Sequence, residues 1–518
     1  MGWGDRVAAA VGRRWAVPAA IAVPFVAAVA ALRGMTVALP IFHGSDELVY
    51  QYPTILQFSR QLPLPDLHSY RAAQTPLFHL LMALAGQLVG LELWRLRLLA
   101  VAISYALGLA VFSLLHRRLG IERLRALALT LLFILSPYVF GQSFRLLTDD
   151  LALLFSVLAI ERLQRFHETD RLGPFLAGCA CVAAAILTRQ STAFLLGLAA
   201  LYAVRPRATL TVRTRLLALL AVALAALPAG LLFLNWHGLV PVGGDPGSCG
   251  LCRASTTAGA GAHGGGLEVQ SAELALATIG LYGAVLFAPV LLAGIRGRAW
   301  DWRRSLHAGA VPLATVSAGA LLLVAFPARP GAHAAGDIWK LAARLPSIDG
   351  SSLLFWLLVP LGGAVLLLRL RRPPRPWLAR ALPACFLVSA VVIRYPWQKY
   401  VDPFALLVLV LTVRDRELHP PWRLAGAAVL AVVFLGYALD LSSHRSTPPG
   451  ATAPIYRGGG LDRAAAASLS GRHRSSIGWW IGSGRPSSRR CPCSCAVHPG
   501  SSAAVPAAVQ RCPAAGAA

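Results

Sequence analysis

Two pairs of adjacent carboxylates stand where polar segments meet long apolar runs. Asp46 and Glu47 follow the first apolar run, and Asp149 and Asp150 open a later one. A carboxylate in a partly apolar cleft has a raised pKa and can take a proton from a hydroxyl group. Solvated loop residues and helix N-terminal caps use the same residue types. We therefore predict a site for general-base chemistry, with capping as the alternative interpretation of each pair.

Three basic residues stand in other polar segments between apolar runs. Arg189 separates two runs, and Arg394 and Lys399 bracket a short aromatic stretch. Arginine binds phosphate oxygens through paired hydrogen bonds, and lysine acts as a point charge. The three residues predict a phosphate-binding site, and a snorkelling arginine and an interfacial aromatic belt are the alternative interpretations. Lys340 and Lys399 are the only lysines among 48 basic residues, which marks them for attention.

The composition indicates that a membrane holds these residues in place. Of 518 residues, 56% are hydrophobic and only 14% are charged, and the mean hydropathy is +0.61. Soluble globular proteins carry about 25% charged residues. Apolar runs of about 20 residues, enough to span a bilayer, recur along the chain. We predict an all-α, polytopic transmembrane helical bundle.

The formal net charge of +26 follows the positive-inside rule rather than the pattern of a nucleic-acid surface. Arginines are concentrated in short clusters between apolar runs, which argues against a nucleic-acid partner. Rossmann and P-loop nucleotide sites are excluded because no glycine-rich motif stands between a strand and a helix. The 23 clustered arginines lie at residues 116–125, 161–171, 205–215, 296–304, 369–380 and 414–423.

The arginine clusters also constrain the topology. If every apolar run crossed the membrane, the cluster at 116–125 and each later cluster would face outward. One earlier run must therefore stay on one side, and the run at 76–91 is the best candidate for a helix at the outer interface. The N-terminus is then cytoplasmic, and the carboxylate pairs and both lysines lie outside. The thirteen runs predicted to cross are 15–33, 96–115, 124–140, 150–160, 173–187, 190–204, 216–234, 274–293, 306–326, 351–368, 380–393, 402–413 and 424–441.

The order of these motifs resembles the GT-C superfamily of integral-membrane glycosyltransferases that use polyprenyl-phosphate sugars. Asp46-Glu47 stands in the loop after the first span, and a proline-containing juxtamembrane segment begins at Thr75-Pro76. The arginine-bearing segment Leu93-Trp-Arg-Leu-Arg-Leu-Leu99 then leads to the cytoplasmic Arg117-Arg-Leu-Gly120. This order is similar to that of bacterial protein mannosyltransferase-like and aminoarabinose transferase-like members.

A second similarity is to the α-1,2-glucosyltransferases that complete dolichol-linked oligosaccharides. Their motifs look like Thr148-Asp149, at the start of a span, and Arg189-Gln190-Ser191, in a tight turn. The resemblance covers residues 15–440. The glycine-rich segment 235–273 departs from it, so the resemblance does not indicate how this segment would recognise an acceptor.

The resemblance implies inverting transfer of a sugar from a polyprenyl-phosphate donor to a glycan, lipid or protein acceptor. It implies that Asp46 is the base, and that the site faces the extracytoplasmic side of a bacterial plasma (inner) membrane. It needs no activated nucleotide and implies no specific cofactor, and the acid pairs are compatible with a divalent metal. The candidate site residues are catalytic Asp46, Glu47, Asp149 and Asp150 and phosphate-binding Arg189, Arg394 and Lys399.

Residues 442–518 differ from the apolar domain at 1–441. They are rich in Ser, Arg, Pro and Cys, and Asp462 is their only acid. The segment is either a disordered extracytoplasmic tail or, from about residue 470, an out-of-frame extension, and we assign it no function. For the domain at 1–441, a transporter or lipid flippase and a non-catalytic scaffold are the alternatives to an enzyme. Transporters often show internal repeats, and none is visible here.

Overall fold

The computed structural model of the chain describes residues 15–32, 46–205, 210–243, 269–296, 315–329, 335–371, 376–391, 393 and 396–443. These residues are mostly helical. The predicted tail lies outside them from residue 444 onward. A single two-stranded antiparallel hairpin, β1 (Ser347–Ile348) and β2 (Ser351–Ser352), is the exception within the described ranges.

Seventeen α-helices occur in the described part of the chain. Two π-helical turns, Asp46–Gln51 and Leu114–Arg118, and three 3-10 turns, Gln190–Ala193, Asp415–Leu418 and Pro421–Leu424, lie between them. The helices are Ala16–Ala31 (α1), Tyr52–Gln61 (α2), Leu77–Val89 (α3), Leu93–Ser113 (α4), Arg123–Ile134 (α5), Pro137–Phe140 (α6), Asp149–Thr169 (α7), Leu172–Thr188 (α8), Phe194–Val204 (α9), Val212–Trp236 (α10), Val269–Arg296 (α11), Thr315–Ala325 (α12), Asp337–Ala342 (α13), Leu353–Arg371 (α14), Pro376–Ala390 (α15), Gln398–Leu411 (α16) and Ala425–Ser443 (α17).

Each predicted apolar run corresponds to helix within the described ranges. Among the residues that the structure describes, five segments are long and apolar enough to cross a membrane: Leu93–Arg118, Val212–Trp236, Val269–Val290, Leu353–Leu370 and Pro421–Ala438. Several of the other helices are apolar but shorter. The chain is thus a helical membrane protein, while the number of thirteen crossings stays a prediction.

Helix α3 corresponds to the run that was predicted not to cross. It has 13 residues, which makes it about 20 Å long at 1.5 Å per residue. The hydrocarbon core of a bilayer is about 30 Å thick. Helices α9 and α16, which are predicted to cross, have similar lengths of 11 and 14 residues, so the juxtamembrane position of α3 stays a prediction.

Helix α7 is longer than the apolar run at 150–160, because its second half is polar and is held by ion pairs. Glu161 Oε1 lies 2.6 Å from Arg118 Nε, and Glu168 also contacts Arg118. The helix ends at Asp170, which adopts a left-handed conformation with φ of 55°. Hydropathy detects only the apolar half of such a helix.

Close backbone packing joins the C-terminal helices. Helix α11 packs against α14 and α16, and its crossing with α14 depends on two glycines. A Cβ on Gly280 would meet the carbonyl oxygen of Leu358, and one on Gly362 would meet that of Leu276. Small residues at such crossings allow membrane helices to approach closely. Helix α16, which starts at the candidate site, is therefore packed against a rigid pair.

Five of the six arginine clusters are connected by ion pairs, and we call this region the arginine-rich end. The pairs join segments that are far apart in sequence, so these clusters share one end of the bundle. Helix α7 runs from this end to Asp149, about 30 Å away for 21 residues. The pairs are Arg118–Glu161 at 2.6 Å, Arg125–Asp415 at 2.5 Å, Arg205–Asp170 at 2.5 Å and Arg369–Glu417 at 2.6 Å.

Candidate active site

Asp46 and Lys399 form an ion pair although 353 positions separate them in sequence. Asp46 opens the π turn Asp46–Gln51, and Lys399 lies in the first turn of α16. Lys399 Nζ lies 3.0 Å from Asp46 Oδ2, and the two side chains are 27% and 36% exposed. Because the pair is only partly buried, either member can exchange its partner for a substrate group.

Arg189 and Asp149 form a second ion pair, which is more deeply buried. Arg189 connects α8 to a 3-10 turn, and Asp149 is the first residue of α7. Arg189 Nη1 contacts a carboxylate oxygen of Asp149 and donates to the Thr148 hydroxyl at 3.2 Å. Burial disfavours the charged guanidinium, but Asp149, Tyr400 and Asp46 together outweigh burial and raise the pKa of Arg189. Arg189 is therefore a fixed positive charge.

The ring of Tyr400 joins the two ion pairs. The Arg189 guanidinium lies 4.9 Å from the centroid of this ring, and Lys399 Nζ lies 5.4 Å from it. The Trp397 ring stacks on Tyr400 with a centroid distance of 5.5 Å, and Lys399 Nζ lies 4.6 Å from the Trp397 centroid. Aromatic faces attract cations at such distances. We call Asp46, Asp149, Arg189, Trp397, Lys399 and Tyr400 the charged cluster.

The charged cluster contains two carboxylates and two cations that influence one another across the pairs. Lys399 interacts electrostatically with Asp149 as well as Asp46, and Arg189 interacts with Asp46 as well as Asp149. With all four groups ionised, their net charge is zero. Preorganised cations in a water-poor site stabilise a negative charge that develops on a reacting group. The cluster can therefore hold an anionic leaving group beside a carboxylate base.

Glu47 adjoins Asp46 in sequence but lies in a different environment. Its carboxylate oxygens accept hydrogen bonds from Arg97 at 2.9 and 2.6 Å, and the Leu146 amide donates to it at 2.9 Å. Glu47 is 0% exposed. Both oxygens are already engaged, so its placement favours a positioning role over proton transfer. In the sequence analysis Arg97 stands only as part of a motif, although an arginine in an apolar helix is itself a signal.

Asp150 is also buried, and two serines hold it. Ser104 from α4 and Ser143 both donate to Asp150 Oδ2, the second at 2.9 Å. The other oxygen, Oδ1, has no hydrogen-bond partner among the described residues. Asp150 thus faces α4, while its neighbour Asp149 faces Arg189. The structure separates the members of both predicted acid pairs and brings only Asp46 and Asp149 into the charged cluster.

A chain of buried polar groups supports the π turn that carries Asp46. His79 Nε2 lies 2.6 Å from Gln51 Oε1, and Gln51 Nε2 donates to Gln74 Oε1 at 2.9 Å. Burial lowers the pKa of His79 to about 3, so the imidazole is neutral. Sequence reasoning gave His79 no role, because a single loop histidine has no partner that can be identified from sequence.

Two other predictions cannot be placed in the charged cluster. Arg394, the third predicted phosphate-binding residue, lies outside the described residues. Lys340 is exposed and pairs with Asp337 at 2.9 Å within α13. Among the described residues, no three His, Cys, Asp or Glu side chains are grouped so as to hold a metal ion.

A model of the dolichyl-phosphate-mannose-protein mannosyltransferase family matches residues 73–232. The matched stretch contains Asp149, Asp150 and Arg189, and it leaves Asp46 and Lys399 outside. No match to the chain is found among curated proteins. The family match, together with the apolar helices, supports a membrane-embedded glycosyltransferase of the GT-C type.

Proposed function

We propose that this membrane glycosyltransferase of the GT-C type is an inverting enzyme that uses a polyprenyl-phosphate sugar as its donor. The charged cluster is the observation that carries the proposal. Asp46, Asp149, Arg189 and Lys399 come from four distant segments, yet ion pairs and one tyrosine ring connect them. Helix capping and snorkelling would not require them to meet.

In the proposed reaction, the Asp46 carboxylate and the two cations have different tasks. The acceptor hydroxyl gives its proton to Asp46 while its oxygen bonds to the anomeric carbon, opposite the departing phosphate. The bond between the anomeric carbon and the phosphate oxygen breaks, and the electron pair leaves with the lipid phosphate. Lys399 and Arg189 would hold that charge. No nucleotide takes part.

The Asp46–Lys399 pair gives this reaction an order. A phosphate that binds Lys399 competes with Asp46 for the same ammonium group, at a contact of 3.0 Å. Asp46 released in this way is free to accept a proton from the acceptor. Donor binding would therefore precede deprotonation, and the base would become active only when a donor is present.

In this mechanism, Glu47 and Asp150 do not react but hold their neighbours Asp46 and Asp149 in position. The Glu47–Arg97 pair fixes the π turn on α4, and this fixes the direction of the neighbouring Asp46. The Ser104 and Ser143 contacts of Asp150 fix the start of α7, and this fixes Asp149. A site needs such support, because loosely held side chains lose much of their effect.

Transfer by the purified protein tests the proposed function. Detergent-solubilised protein is incubated with radiolabelled polyprenyl-phosphate sugars, and release of the lipid phosphate is measured along with labelled product. An enzyme breaks the sugar–phosphate bond, whereas a flippase or scaffold leaves the donor intact. An intact donor across a panel of sugars and acceptors would refute the proposal.

The extracytoplasmic position of the site has a separate test. Cysteines introduced at positions 118 and 145 of a cysteine-free variant are treated with an impermeant thiol reagent in intact cells. We expect labelling at 145 and not at 118, because Arg118 belongs to the arginine-rich end. Labelling of position 118 from outside would reverse the assigned orientation.

A further inference from the structure

Residues 335–342, which include α13, lie against the beginning of α16, and we call them the strap. The backbone N–H of Gln398 donates to the Ala335 carbonyl at 2.8 Å, and the backbone N–H of Ile338 donates to the side-chain Oε1 of Gln398 at 3.0 Å. Trp339 Nε1 donates to the Pro396 carbonyl at 2.7 Å. The strap thus holds positions 396 and 398 on either side of Trp397. Position 398 directly precedes Lys399.

The side chain of Gln398 is held from the other side by a buried carboxylate. Gln398 Nε2 donates to Asp402 Oδ2 at 3.1 Å, and the Tyr282 hydroxyl from α11 donates to the same oxygen at 2.5 Å. Asp402 is 0% exposed and Gln398 is 4% exposed. Buried hydrogen bonds of this kind are costly to leave unmade, so the side-chain amide of Gln398 has one preferred orientation. Gln398 therefore connects the strap to α16 and α11.

The strap approaches α16 closely because residue 336 is a glycine. Gly336 has a φ of 129°, a region that side chains other than glycine rarely adopt. A Cβ at this position would also meet the Gln398 side chain. Substitution of Gly336 would loosen the strap without changing any residue of α16.

We propose that Gln398 is a positioning residue that, with the strap, aims Lys399 at the phosphate of the donor. This inference rests on the proposed function. Lys399 Nζ must stay close to Asp46, Trp397 and Tyr400, and a fixed backbone on its N-terminal side keeps it there. Gln398 touches none of the reacting groups in the proposed reaction, and it acts through Lys399.

Donor kinetics provide the first test. Gln398→Met keeps the length of the side chain but removes both hydrogen bonds, and Gly336→Ala disturbs the strap alone. We expect each to raise the donor KM by roughly tenfold and to change kcat by less than about threefold, since donor binding is affected more than proton transfer. Tyr202→Phe is the matched control, because Tyr202 donates to Gln164 at 3.1 Å in a buried site at the arginine-rich end. An unchanged donor KM in both strap variants would overturn the inference.

Lysine labelling provides a second test that does not depend on transfer. The chain has two lysines, so an amine reagent followed by mass spectrometry reports on Lys399, with Lys340 as a second site. An ammonium held by a carboxylate gives up its proton reluctantly, so release from Asp46 should speed labelling. Asp46→Asn defines the rate without the ion pair, and Tyr202→Phe should leave the rate unchanged.

The two tests separate the failure of this inference from the failure of the proposed function. We expect several-fold faster labelling of Lys399 in Gln398→Met and Gly336→Ala than in the wild type. Unchanged labelling in both variants overturns the positioning role even if the wild type transfers sugar. Faster labelling in a protein that transfers no sugar supports the positioning of Lys399 and refutes the glycosyltransferase mechanism.

Discussion

The two ends of the bundle both contain buried ion pairs, yet the pairs are arranged differently. At the arginine-rich end, Arg205 pairs with Asp170 and Arg369 pairs with Glu417, and each arginine also lies over a phenylalanine ring. These two arginines lie over different rings, Arg205 over Phe166 and Arg369 over Phe287. At the other end, two pairs share the single ring of Tyr400 and influence each other's charges.

The comparison teaches that a buried ion pair alone does not mark a site. Such pairs add little net stability over apolar packing, and a bundle can use them to fix the register of its helices. What distinguishes the charged cluster is that two ion pairs, each of one carboxylate and one cation, lie together. One of the two pairs is partly exposed. A substrate anion can then replace one carboxylate without leaving a cation unpaired.

The largest effect is expected from Asp46→Asn. The change removes the base but keeps its shape, so transfer should fall by about 10²–10⁴-fold. Donor binding should persist or tighten, because the carboxylate that competes for Lys399 is gone. Single-turnover transfer and donor binding by purified protein measure both. Asp170→Asn at the arginine-rich end is the matched control and should retain transfer; equal loss in both variants would remove the contrast between the ends.

Breaking the buried Glu47–Arg97 ion pair should destabilise the fold more than breaking any exposed ion pair. Removal of one partner leaves a buried charge without compensation, which costs about 3–5 kcal/mol. Arg97→Ala should therefore lower the thermal midpoint of the purified protein much more than Arg118→Ala, whose ion pair is partly exposed. Replacement of both Glu47 and Arg97 by apolar residues should recover part of the loss. Equal midpoints for the single variants would contradict this assignment.

Lys399→Ala should weaken donor binding with a smaller effect on folding. Loss of one charged contact to a phosphate corresponds to about tenfold in affinity, or about 1.4 kcal/mol. The donor KM should rise with increasing ionic strength in the wild type and less in the variant, because a screened cation has been removed. Arg118→Ala serves as the control for lost positive charge. A donor KM unaffected by Lys399→Ala would exclude this residue from phosphate binding.

The smallest effect is expected from removal of residues 470–518. The segment lacks apolar periodicity and contains no acid, so neither end of the bundle should depend on it. The truncated protein should accumulate normally and transfer sugar at the wild-type rate. Measurement of expression level and of initial rate checks this, and failure to accumulate would show that the segment is structural.

The sequence predicted the helical bundle and four members of the charged cluster before any contact was known. Membrane side and motif order sufficed for Asp46, Asp149, Arg189 and Lys399, because charges at an interface are rare enough to be informative. The resemblance singled out Asp46 as the base, but the sequence did not show which partners Glu47 and Asp150 would contact. Adjacent carboxylates look alike in sequence, and only the three-dimensional position of their partners distinguishes a buried one from an accessible one.

Other features gave no signal that local reasoning could use. Gln398 is an uncharged amide in an aromatic stretch. Its side chain contacts Ile338 in a distant segment and Asp402 in the same helix, and Tyr282 from another distant segment donates to Asp402. Tyr400 was not singled out, because aromatic residues are common at membrane surfaces and an interfacial belt was an alternative interpretation of this stretch. The polar half of α7 was missed because hydropathy ends a helix where charges begin, although ion pairs continue it.

The π turn at Asp46–Gln51 makes the geometry of the charged cluster depend on residue count as well as residue type. A π turn contains one residue more than the α-helical turn it replaces, and it continues directly into α2. One residue fewer would rotate the beginning of this segment by about 100° relative to α2. Asp46 and Glu47 would then turn away from Lys399 and Arg97 with every side chain still present. The number of residues in this turn is thus as important to the charged cluster as their identity, and deletion of one residue here would displace both carboxylates at once.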